Sequence, residues 1–83
     1  MDLNKLYKLF DEERELLKDY KDIDEYGQPI VPRDIMYKLD RLHFEQCNIF
    51  DKRYRFQPSN DYEWSIYHST RKEVSFLRNK YFK

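Results

Sequence analysis

The sequence predicts an all-α fold: about three helices in one small domain, residues 1–83. Three observations carry that prediction. Apolar residues recur at spacings of three and four on both sides of each break in the chain. The breaks are marked by proline, one running from Gly27-Gln28-Pro29 to Pro32 and the other at Gln57-Pro58. Glycine occurs once in the whole chain, too seldom for the many tight turns of a β-sandwich or barrel. A chain this short buries only about two-thirds of its unfolded surface. The helices are therefore expected to lie extended over a partner surface rather than to close into a self-sufficient bundle. The same size excludes a TIM barrel or a Rossmann domain joined to a substrate domain.

The first helix is expected near residues 3–20. Leu3, Leu6, Tyr7, Phe10 and Leu17 share one face, and Asp2 or Asn4 can cap it. Glu13 and Arg14 occupy turns where a core residue would be expected, so a break is expected there. Residues 21–31 follow as an extended stretch, with Gly27 free to take a positive φ and Pro29 forbidding helix just before it. Pro32 suits the first turn of the second helix, near 33–55, and Asp34 suits the positive end of its dipole. Ile35, Leu39, Leu42, Gln46 and Ile49 form its main stripe, flanked by Met36, His43, Cys47 and Phe50. Asn60 followed by Glu63 has capping-box spacing. It opens a third helix, near 60–82, whose stripe is Tyr67, Thr70, Val74, Leu77 and Tyr81.

Bases and acids balance at 16 each, so no global field draws the chain to nucleic acid or membrane. The halves differ: residues 1–42 hold 11 acids and 8 bases, and residues 43–83 hold 5 acids and 8 bases. Eight Tyr, six Phe and one Trp argue against disorder, since disordered chains are poor in aromatics. Tyr and Trp with Arg are also the residues enriched at interfaces. The single cysteine, Cys47, can form no internal disulfide. No apolar run is long enough to span a bilayer, and the Met1-Asp2-Leu3 start carries neither a secretion signal nor a transit peptide.

No constellation of residues supplies an active site. His43 and Cys47, four apart on one helix, could share a metal, but zinc needs four ligands or three and a water. The plainer account is that both flank the buried stripe, with Cys47 acting as a small apolar residue. Ser65, Ser69, His68 and Glu73 share the third helix, yet that geometry does not aim a base at a nucleophile and a third group at once. The acidic run Asp11-Glu12-Glu13, with Glu15, reads as a solvated face. Lys52-Arg53-Tyr54-Arg55-Phe56 interleaves bases and aromatics. Such a segment suits an acidic partner surface, an anionic lipid head group or single-stranded nucleic acid. As a plain helix end it would complement the dipole. Zero net charge disfavours nucleic acid.

The second helix opens with Val31-Pro32-Arg33-Asp34-Ile35-Met36 and carries Arg41-Leu42. It is followed by Gln57-Pro58-Ser59-Asn60 and then Trp64, while upstream stands Asn4-Lys5-Leu6-Tyr7-Lys8-Leu9-Phe10-Asp11-Glu12. In order and nearly in spacing these resemble the ubiquinol–cytochrome c reductase binding proteins, small helical matrix-side subunits of the mitochondrial cytochrome bc1 complex. Val31 and Gln57 stand where that family has leucines, and its N-terminal helix is missing or truncated here. The resemblance implies a non-catalytic structural and assembly subunit, peripheral on the matrix side of the mitochondrial inner membrane. It would pack on cytochrome b and neighbouring subunits of the respiratory chain and hold neither heme nor metal. Ile35, Leu39, Leu42 and Ile49 would then form the docking helix, its burial completed partly by other chains. Arg41, Arg53, Tyr54, Arg55, Phe56 and Trp64 are the candidate partner or lipid contacts. A ribosomal or other RNA-associated helical protein is the alternative.

Overall fold

A computed structural model of the chain describes residues 2–53 and 57–82. Three helices account for most of it: α1 (Leu3–Leu17), α2 (Arg33–Phe50) and α3 (Asp61–Tyr81). No strand forms among the described residues; the nearest approach to one is a single antiparallel bridge between Ile23 and Pro29. The all-α expectation holds. The ends of the helices follow from local chemistry. Asp2, in extended backbone, accepts the Lys5 N–H at 3.1 Å and starts α1. The helix tightens and stops at its C-terminus, where the Tyr20 N–H bonds the Leu17 carbonyl three residues back. It does not break at Glu13 and Arg14.

Pro32 stands one residue before the first turn of α2, and its carbonyl accepts the Met36 N–H at 2.9 Å. The helix ends at Phe50 rather than near residue 55. Asp51 offers the chain another partner: its carboxylate accepts the Arg53 N–H at 2.9 Å and also grips the Arg53 guanidinium. A short acidic side chain bonding nearby backbone in this way competes with continuation of the helix. Asn60 caps α3 by accepting the Glu63 N–H at 2.9 Å. The reciprocal half of the expected box shifts by one residue, because the Glu63 carboxylate takes the Ser59 N–H at 2.8 Å rather than that of Asn60.

The stretch between α1 and α2 does not run extended. The Asp24 carboxylate accepts the N–H groups of Tyr26 and Gln28, each at 2.9 Å. Backbone bonds join Asp24 to Gln28 and Ile30 to Asp22. Gly27, at φ +77°, makes the reversal. The result is a tight, hydrogen-bonded loop.

The core joins Leu6 and Phe10 of α1, Cys47 of α2 and Val74 of α3, with Tyr7, Phe44, Ile49, Phe50, Tyr67 and Leu77 packed around them. Tyr81 stacks on Tyr7 at 4.5 Å between ring centroids, and its hydroxyl reaches the Asp11 carboxylate at 3.2 Å. The Cα radius of gyration is 12.9 Å, against about 12 Å for a compact chain of this length. The helices thus close on one another rather than lying spread out, because each stripe finds its counterpart within the chain.

Candidate functional site

Glu13 lies one turn beyond Phe10 on the inward face of α1, and the packing of α2 and α3 buries it to 4% exposure. A buried carboxylate is costly unless donors satisfy it. Here all three helices converge. Gln46 of α2 donates from Nε2 to Glu13 Oε1 at 2.8 Å. His43, one turn earlier on α2, brings Nε2 within 3.5 Å of the same oxygen. Arg78 of α3 donates from Nη1 to Oε2. Burial alone would push the Glu13 carboxyl up, but the hydrogen bonds of His43 and Gln46 and the charge of Arg78 outweigh it. The net result holds the group at about 2, against an ordinary value of 4.5.

A carboxylate so acidic and so fully engaged is a poor general base near neutral pH. Its chemistry is that of a lock between helices. The two polar residues that build it, Glu13 and Gln46, both interrupt apolar stripes. That shared irregularity was the one sign of the cluster in the sequence, and reading each helix alone does not connect them. Arg78 carried no sign at all.

Glu13 also forms part of the wall of an open cleft of about 1500 Å³. The C-terminal half of α1, the Asp24 loop, the first half of α2 and one face of α3 line it. Arg71 of α3 reaches inward from this wall. Its guanidinium lies beside the Cys47 thiol, which burial pushes up and Arg71 only partly offsets. Arg71 Nη1 is buried without a hydrogen-bond partner, as is Gln46 Oε1.

The residues singled out from the sequence are scattered. Leu39 is buried and Ile49 packs on the core, while Ile35 and Leu42 are half-buried, so the proposed docking stripe faces the chain's own helices first. Arg41 is exposed, with its guanidinium 5.9 Å from the Phe44 ring centroid. Arg53 is exposed but engaged by Asp51 at 2.8 Å. Tyr54, Arg55 and Phe56 lie outside the described residues. Trp64 is 45% exposed, set edge-on to Tyr67 and stacked on His68. Ser65, Ser69 and Glu73 are exposed on α3.

His43 and Cys47 do not point to one shared centre: His43 faces Glu13, and Cys47 sits fully buried among Leu6, Phe10 and Val74. Among the described residues no group of three or more His, Cys, Asp or Glu is placed to hold a metal ion. No helix among them is long and apolar enough to cross a membrane. No protein-family model, curated protein or solved structure matches the chain.

Proposed function

We infer that this chain is a non-catalytic docking unit of a larger assembly, working by contact. One observation carries the reading. Of the eleven large apolar or aromatic side chains exposed among the described residues, five lie between positions 23 and 37: Ile23, Tyr26, Ile30, Met36 and Tyr37. They belong to the Asp24 loop and the opening turns of α2. The loop is already ordered by its own hydrogen bonds, so less conformational entropy is lost when a partner covers it. Tyrosine on a pre-ordered support is a common anchor at interfaces.

The resemblance noted in the sequence gives this reading its most specific form. In that form the chain is a supernumerary subunit of the cytochrome bc1 complex, on the matrix face of the mitochondrial inner membrane, docked on cytochrome b and its neighbours. Purification through a tag on this chain tests it. Recovery of cytochrome b and the Rieske protein supports the specific form. Recovery of ribosomal RNA, or of a respiratory complex lacking cytochrome b, ends it. Recovery of the free chain alone after gentle lysis ends the docking reading itself. Replacing Ile23 and Tyr26 together by Ser is expected to leave the fold intact and lower recovery of the assembly.

A further inference from the structure

The open cleft is lined by more cations than anions. Six bases line it: Arg14, Lys18, Lys21, Arg71, Lys72 and Arg78. Against them stand three acids, Glu13, Asp24 and Asp40. Two of these acids are already committed. Glu13 is held by Gln46, His43 and Arg78. Asp24 bonds the backbone of its own loop. Arg78 is satisfied by Glu13, and Lys18 reaches the exposed Glu15 carboxylate. Arg71 turns its guanidinium toward the buried Cys47 thiol, with Nη1 closed off from solvent. Lys21 and Lys72 are exposed in the lining, one from the loop and one from α3. The uncharged lining is mixed, with apolar Leu17 and Tyr67 half-buried and Met36 exposed beside His43, His68, Ser69 and Ser75.

We propose that this cleft receives an acidic, amphipathic segment of a partner protein, carboxylates toward Lys72 and Lys21 and apolar side chains toward Leu17 and Met36. The cleft is larger than the roughly 300–1,000 Å³ usual for small-molecule sites, and it opens broadly to solvent. A peptide segment fits that shape better than a compact metabolite. A nucleic-acid strand fits less well. Its phosphates form an unbroken anionic track, whereas Asp24 and Asp40 stand among the cations of the lining. A peptide can place its carboxylates only where the cations are. The proposal builds on the docking reading by giving the assembly unit a second, chemically distinct contact beside the apolar loop.

The test uses the intact chain and a fluorescently labelled helical peptide of glutamate and leucine, followed by anisotropy. Saturable binding is expected, weakening as salt is added. The double variant Lys21→Glu with Lys72→Glu should bind the peptide at least about tenfold more weakly. Both positions are exposed, so its thermal midpoint should match that of the parent. A peptide with lysine in place of glutamate should not bind. Absence of binding, equal binding of the lysine peptide, indifference to the double charge reversal, or preference for an oligouridylate strand over the acidic peptide would each overturn the proposal. The Ile23→Ser, Tyr26→Ser variant separates the two readings. It should keep full affinity for the peptide while losing the assembly, so failure of either contact is visible without the other.

Discussion

Glu13 ties the stability of the molecule to pH. Its carboxyl is held at about 2 in the folded chain, against an ordinary 4.5. A depressed carboxylate contributes stability that is fully present above its unfolded value and is lost as pH falls through its folded value. The contribution, about 3 kcal/mol at neutral pH, should therefore disappear between about pH 4.5 and pH 2. Urea unfolding across that window checks it. The parent should lose stability steeply, and Glu13→Gln, already lacking the charge, should show a much flatter profile from a lower starting point. The two ends of the ion pair should not be equivalent. Arg78 keeps 27% of its side chain exposed, whereas Glu13 keeps 6%. Removing Glu13 leaves a guanidinium that water can reach. Removing Arg78 leaves a buried carboxylate without its cation, a loss of about 3–5 kcal/mol for a buried pair broken on one side. Arg78→Met is thus expected to destabilise more than Glu13→Gln at pH 7, and to move the onset of acid unfolding upward. Equal losses would mean that the carboxylate is better solvated than its burial implies.

At the scale of single elements, the ends of the helices and the loop between them rest on a few side chains. Asn60 holds the start of α3 through one bond to the Glu63 N–H. Asn60→Ala should cost about 1 kcal/mol, read as a lower denaturation midpoint with an unchanged slope. Gly27 sits at φ +77° with no atom within 4 Å of the place a Cβ would take. Gly27→Ala would therefore meet backbone strain and no clash, at about 1–2 kcal/mol. Asp51 ends α2 by drawing the Arg53 N–H to itself. Asp51→Ala removes that competitor, and carbon chemical shifts should report helical backbone continuing past Phe50. A helix that still stops at Phe50 would place the cause in the tertiary packing instead.

For the molecule as a whole, the balance of buried to exposed apolar surface sets the stability. Among the described residues Leu6, Leu9, Phe10, Leu39, Cys47 and Val74 are the buried apolar ones, while eleven large ones remain exposed. A chain of this length typically has a stability of about 4–12 kcal/mol, and so thin a core places it near the low end. Truncating the fully buried Phe10 to Ala costs about 3–5 kcal/mol. That is most of the total, so the Phe10→Ala chain should show no cooperative thermal transition. The parent should melt no higher than ordinary mesophilic domains, and its midpoint should rise when a bound partner is present. A midpoint far above that range for the free chain would mean that the exposed side chains are not needed elsewhere.

The three helices, their order and the breaks between them were determined by the sequence itself, because each depends on neighbours a few residues away. Capping by Asp2 and Asn60, the fixed φ of Pro32 and the positive φ of Gly27 act within one turn of chain. The early end of α2 at Asp51 is equally local, but periodicity does not report it, since a side chain bonding nearby backbone leaves no mark on the apolar stripe. Tertiary structure alone decided the rest. Glu13 stands 33 residues from Gln46 and 65 from Arg78, and no local pattern states that these will meet. Along α1 it looks like a flaw in the stripe. It becomes a junction because a buried carboxylate is tolerated only where donors converge, and those donors come from the other two helices. The cationic cleft has the same origin: neutral as a whole, the chain gains a locally cationic surface only when folding brings bases of α1, the loop and α3 into one lining.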